Sequence, residues 1–184
     1  MTKSKISFTF NIIDDEKSTE KVVDGKSFTL NISRADQTTL SDYTTQGFKF
    51  DTSDGTIMTG LPTPATGVTE ITIPGYYKNG NDYVFVKTLA NGKSGGLTNA
   101  SSYTSIIIPY GIVSISNYAF DNCSNLTTIT IPNGVKEIGN VAFRNCTNLG
   151  KVIIPSSITC IGVNAFKSSP FLTNLQNDSN GIYT

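Results

Sequence analysis

Residues 131–149 read Ile131-Pro-Asn-Gly-Val-Lys-Glu-Ile-Gly-Asn-Val-Ala-Phe-Arg-Asn-Cys-Thr-Asn-Leu149, and the frame of this line recurs 23 residues earlier and 23 residues later. Pro109, Pro132 and Pro155 keep that step, as do Ile115, Ile138 and Ile161. Phe120, Phe143 and Phe166, each preceded by Ala, share a second register, and Leu126, Leu149 and Leu172 a third. Cys123 and Cys146 occupy one column, which Ser169 fills in the third copy. A unit this short cannot bury its own apolar face. Units of this kind stack and share one continuous core, so the fold class predicted is mainly β, a short solenoid of four to five coils.

A degenerate coil precedes the regular ones. Counting back from Pro109, Leu97 fills the Phe slot, Ala100 the Cys slot and Tyr103 the Leu slot, with Val86 and Leu89 in the Val and Ile slots. Two insertions separate Pro74 from Pro109. One runs from Gly75 to Phe85 around Asn79-Gly80, a dipeptide that favours the tight turn of a hairpin. The other is the Gly-rich stretch from Asn91 to Gly96.

Within each coil, Leu126-Thr-Thr-Ile-Thr-Ile131 alternates as a strand does. Its counterparts are Val68 to Ile73, Tyr103 to Ile108, Leu149 to Ile154 and, less regularly, Leu172 to Asn177. Stacked in register these predict up to five parallel strands about 4.8 Å apart. The Pro that follows each strand lacks an N–H and ends the ladder. The Ala-Phe pair is expected on a short helical turn of the opposite face, with Phe inward.

The pattern Ile-Pro, Val-x-x-Ile-Gly, Ala-Phe and Cys-x-x-Leu resembles the BspA-like leucine-rich repeat, also called the Treponema pallidum type. The resemblance covers residues 66 to 177. The last unit departs from it, with Ser168-Ser169-Pro170 in place of Asn-Cys-Ser or Asn-Cys-Thr, and it loses the terminal Ile-Pro. The resemblance implies a surface-exposed adhesion or interaction protein without enzymatic activity, at the cell surface or outside the cell. Similar repeats also occur in viral and phage proteins, so a virion component is the alternative.

Residues 1–65 do not repeat and are read as a small β-rich N-terminal domain or cap, with 66–184 as the solenoid. Ile6, Phe8, Phe10 and Ile12 alternate with polar residues. Val22-Val23 and then Phe28, Leu30 and Ile32 flank Asp24-Gly25. Phe48-Lys-Phe50 and Thr56-Ile-Met58 flank Asp54-Gly55. Such a segment packs on the first coil or joins copies of the chain into a homo-oligomer. Met1 to Ile6 carries basic residues with no apolar stretch after it, so no secretory signal is read there.

Composition excludes most chemistry. Of 184 residues, 14 are basic, 14 acidic and none is His, which removes imidazole metal sites and Ser-His-Asp or Cys-His catalysis. Balanced charge leaves no basic footprint for nucleic acid. No apolar run approaches the roughly 20 residues of a transmembrane helix. No cofactor or metal site is read. Cys123 and Cys146 are taken as small buried hydrophobes rather than redox or metal ligands. Cys160 stands in the variable column of Ser114 and Glu137 and is expected nearer the surface. The acidic runs Asp14-Asp-Glu16 and Asp51 to Asp54 lack a calcium-loop spacing and read as solvated turns. The solenoid acids Asp82, Asp121, Glu137 and Asp178 are too scattered for a glycosidase pair. The sequons at Asn31, Asn99, Asn122, Asn125, Asn145 and Asn177 are expected by composition in a chain one-third Ser, Thr and Asn.

What remains is the strand face. With Ile129 and Ile131 inward, Thr128 and Thr130 point outward, because strand side chains alternate. The same columns hold Glu70 and Thr72, Ser105 and Ile107, Lys151 and Ile153, and Asn174 and Gln176. This row is the candidate binding surface for a protein or glycan partner, against the alternative of a merely solvated face.

Overall fold

The computed structural model describes residues 20–23, 26–29, 39–90, 92–93 and 96–177, with side chains described only between 39 and 174. The strand expected over Ile6 to Ile12, the run from Asp14, the residues Leu30 and Ile32, the sequon at Asn31 and the acid Asp178 lie outside the described residues. By its contacts the chain divides into two units, residues 1–38 and 39–184. In the first, β1 (Glu20–Val23) and β2 (Lys26–Thr29) pair antiparallel.

The second unit opens with α1 (Leu40–Thr45), started by a reciprocal cap. Thr39 Oγ1 accepts from the Asp42 N–H, and Asp42 Oδ2 accepts from the Thr39 N–H at 2.8 Å. The Thr39 N–H and the Thr39 hydroxyl, both donating to Asp42 Oδ2, hold the Asp42 carboxyl below its ordinary pKa. β3 (Lys49–Phe50) and β4 (Ile57–Gly60) then form the hairpin expected around Asp54-Gly55. β5 (Glu70–Thr72) is followed by the second expected hairpin, β6 (Tyr76–Asn79) and β7 (Asp82–Phe85), which turns at Gly80 with φ of +64°.

The remaining strands alternate between two sheets: β8 (Thr88–Leu89), β9 (Ser105–Ile107), β10 (Ser114–Ile115), β11 (Thr128–Thr130), β12 (Glu137–Ile138), β13 (Lys151–Ile153) and β14 (Cys160–Ile161). β5, β9, β11 and β13 form a four-stranded parallel sheet. β4, β8, β10, β12 and β14 form a second parallel sheet, with β3 antiparallel on its edge. The periodicity did not disclose this second sheet. Its rungs are two residues long, too short for alternation to register.

The Gly that follows Ile138 and Ile161 of that sheet has a steric cause. A Cβ on Gly139 would collide with the backbone of Ser116 and Asn117 in the preceding coil, and one on Gly162 with that of Gly139 and Asn140. The coils are also pinned by side chains in one column. Asn117 Oδ1 accepts from the Asn140 N–H at 2.7 Å, and Asn140 Oδ1 from the Val163 N–H at 2.7 Å.

The core runs as columns. Ile115, Ile138, Phe120, Phe143, Leu126 and Leu149 are fully buried, and so are Val86 and Leu89 of the degenerate coil. The rings of Phe120 and Phe143 stack at 5.0 Å. Cys123 and Cys146 are buried thiols, and Cys160 is exposed. Cys146 Sγ donates to the Phe120 carbonyl at 3.1 Å, and Ser169 Oγ, in the same column, donates to the Phe166 carbonyl at 2.7 Å. The column therefore takes a small side chain, Ala100, Cys123, Cys146 or Ser169, and the polar members Cys146 and Ser169 find a backbone carbonyl to donate to.

One strand expectation fails. Residues 172–177 are not a fifth rung but belong to α2 (Pro170–Asn177). The cause lies in Ser168-Ser169-Pro170. Pro suits the first helical position, and Ser169 Oγ accepts from the Leu172 N–H at 3.4 Å, an N-cap contact. Phe171 then sets its ring edge-on to Phe166 at 5.0 Å, closing the ring column.

Candidate functional site

The four-stranded sheet turns alternate residues to the core and to the outside. Ile106 and Ile129 are buried, and Ile71 and Val152 pack on the core from the outer strands. The outward residues line up across the strands. Glu70, Ser105, Thr128 and Lys151 form one row, and Thr72, Ile107, Thr130 and Ile153 the next. The structure thus brings together eight of the ten candidate residues. The other two, Asn174 and Gln176, lie on α2 and leave the row, because that segment is helical.

The rows differ in chemistry. In the first, opposite charges stand on the outer strands, and the inner strands carry hydroxyls. Ser105 Oγ donates to Glu70 Oε2 at 2.8 Å. The second row exposes two aliphatic side chains, Ile107 at 45% and Ile153 at 47%. Between the inner strands lies a shallow depression of about 250 Å³, bounded by Ser105, Ile107, Tyr110, Thr128, Thr130 and Pro132.

Tyr110 is the residue that sequence reasoning passed over. It directly follows the strand-ending Pro109, where the other coils carry Gly75, Asn133 and Ser156. The residue is 68% exposed. A large aromatic in a column of small residues was the available signal.

The scattered acids are engaged elsewhere. Asp121 is held by Arg144, whose Nε and Nη2 both donate to its carboxylate. Glu137 lies on β12 and Asp82 on β7, on different elements. Asp51 Oδ1 accepts from the Ser53 and Asp54 N–H groups, and Asp54 Oδ1 from the Thr56 N–H, so these carboxylates close turns. Among the described residues no group of three or more Cys, Asp or Glu side chains gathers as a metal site would require. Among them, too, no helix is long and apolar enough to cross a membrane. Burial pushes the Cys146 thiol up to about 12 and raises that of Cys123 as well, so neither is a nucleophile at neutral pH.

The BspA type leucine rich repeat region matches residues 93–183, in six copies. Among solved structures the chain is similar to a leucine-rich repeat protein from Bacteroides ovatus, at 25% identity and a TM-score of 0.52, over 66% of this chain and 31% of that one. It is also similar to the T. pallidum leucine rich repeat protein, at 21% identity and a TM-score of 0.49, over 71% of this chain and 66% of that one. A leucine rich cell surface protein from Faecalibacterium prausnitzii is similar at 20% identity and a TM-score of 0.34, over 66% of this chain and 44% of that one. The chain spans under a third of the length of the Bacteroides protein. No curated protein matches it.

Proposed function

Because residues 93–183 are a leucine-rich repeat region of the BspA type, we propose that the chain is a non-catalytic recognition module that binds a surface partner, glycan or protein, through the face of β5, β9, β11 and β13. The observation that carries this reading is the outward row itself. Ile107 and Ile153 are large apolar groups left at the surface in one register row, and Tyr110 is exposed just beyond the end of the Ile107 strand, after Pro109. Solenoids present extended surfaces of this kind to their partners. The reading places the chain at a cell surface, as the resemblance implies.

The test replaces Thr128, Thr130, Lys151 and Ile153 together by Ala and compares the variant with the wild type on a panel of immobilised glycans and proteins. All four side chains are exposed, so the fold is expected to survive. Loss of the wild-type binding at an unchanged melting temperature supports the reading. An unchanged binding pattern overturns it.

A further inference from the structure

We propose that the ligand of this face is a linear, neutral oligosaccharide that lies across the strands with one sugar ring stacked on Tyr110. The inference rests on the reading of the face as a recognition surface and adds the chemical class of the ligand.

Charge comes first. The depression is bounded by three hydroxyls, of Ser105, Thr128 and Thr130, by the aliphatic Ile107 and Pro132, and by the phenol of Tyr110. None is a carboxylate, an ammonium or a guanidinium. Glu70 and Lys151 stand at opposite ends of the same row, on the two outer strands, and Ser105 Oγ donates to Glu70 Oε2 at 2.8 Å. Across the four strands these two charges cancel, so a ligand charged with one sign along its length meets a like charge at one end of the row. A neutral polyol meets no such repulsion, and each Ser and Thr hydroxyl both donates and accepts, as sugar hydroxyls do.

Shape comes second. An exposed Tyr ring offers a flat apolar body with a polar tip, which suits the C–H face of a sugar ring. Ile107 and Pro132 continue that apolar floor.

Spacing comes third. Strands repeat every 4.8 Å or so, comparable to one sugar unit of an extended chain, so successive units meet successive strands. Four strands then set a footprint of about four units.

The experiment titrates the full chain calorimetrically with cello-, xylo-, manno- and malto-oligosaccharides of two to six units, with tetragalacturonate as the anionic probe. The expected result is that one neutral series binds, with affinity rising to four units and level beyond. Tyr110→Ala should weaken that binding about tenfold or more, whereas Tyr110→Phe keeps the ring and most of the affinity. Sugar binding unchanged in Tyr110→Ala, or tetragalacturonate bound as tightly as the neutral series, overturns the proposal. If no series binds but the strand-face quadruple variant loses a protein that the wild type holds, the ligand class falls and the recognition face stands. If neither sugar nor protein binding depends on this face, both readings fall.

Discussion

The rings of Phe143 and Phe166 lie 4° from parallel with centroids 5.2 Å apart, one coil above the other. Phe143 stacks on Phe120 on its other side, so it is the middle of a continuous column. The coils have little else of this size to share, and a cavity there would open to both neighbours. Phe143→Ala is expected to cost about 3–5 kcal/mol, and Phe143→Leu less. Urea unfolding followed by circular dichroism measures both. A loss well under 1 kcal/mol for the Ala variant would show that the ring column does not carry the core.

Val141 sits at φ of +52°, in a column where Tyr118 and Asn164 are also left-handed, at +62° and +56°. A β-branched side chain is poorly suited to that region, and Asn tolerates it best after Gly. Val141→Asn is expected to raise stability by about 1 kcal/mol, a few degrees in Tm. A thermal melt that moves down instead would mean that Val141 packing outweighs its backbone strain.

Stability should fall in alkali. Burial raises the Cys123 and Cys146 thiols, the second to about 12, whereas unfolded thiols ionise near 8.5. From roughly pH 8.5 upward the unfolded chain therefore sheds protons that the folded chain keeps. The stabilisation is complete below that pH and drains away as pH climbs toward the folded values. Tyr77 and Tyr103, whose phenols are also raised by burial, add to the loss above about pH 10. Urea midpoints from pH 7 to 10 should decline in the wild type and decline less in Cys123→Ala/Cys146→Ala, since Ala100 already serves in that column. Under native conditions iodoacetamide should label exposed Cys160 alone.

Residues 39–65 are proposed as the N-terminal cap of the solenoid. β4 pairs in parallel with β8, Ile57 beside Thr88 and Met58 beside Leu89. Met58 and Leu61 are fully buried, and Phe48 is nearly so. A chain starting at Thr39 keeps these contacts, and one starting at Thr66 strips the edge of β8 and uncovers apolar core. The expected outcome is a cooperative melt for 39–184 and a lower, broader one or aggregation for 66–184. Equal melts for the two fragments would count against the cap. Light scattering on the full chain and on 39–184 reports in the same preparations on whether the N-terminal segment joins copies.

Much of this architecture could be read from the repeat, and the misses have physical causes. Columns of Phe, Leu and Ile mark buried positions in the inner coils, because a core imposes the same apolar residue every 23 positions, whereas in the last coil Ile161 of the same column is exposed and Leu172 is only partly buried. The same register identified the degenerate coil through Leu97, Ala100 and Tyr103, all buried. The second sheet escaped because a rung such as Glu137–Ile138 offers one inward residue and one outward, with no period to detect. Helix α2 escaped because Leu172 still occupies its repeat slot, and the local start signal of Ser169 and Pro170 outweighed it. Tyr110 escaped because attention to shared columns passes over the one residue that breaks its column.

The recognition face itself is tested most directly by amide hydrogen exchange on the full chain, with and without the tightest ligand from the glycan and protein panel. The account predicts slowed exchange confined to the strands at 70–72, 105–107, 128–130 and 151–153 and to Tyr110, with the other sheet at 114–115, 137–138 and 160–161 unchanged. Protection centred on that other sheet, with the first unaffected, would contradict it.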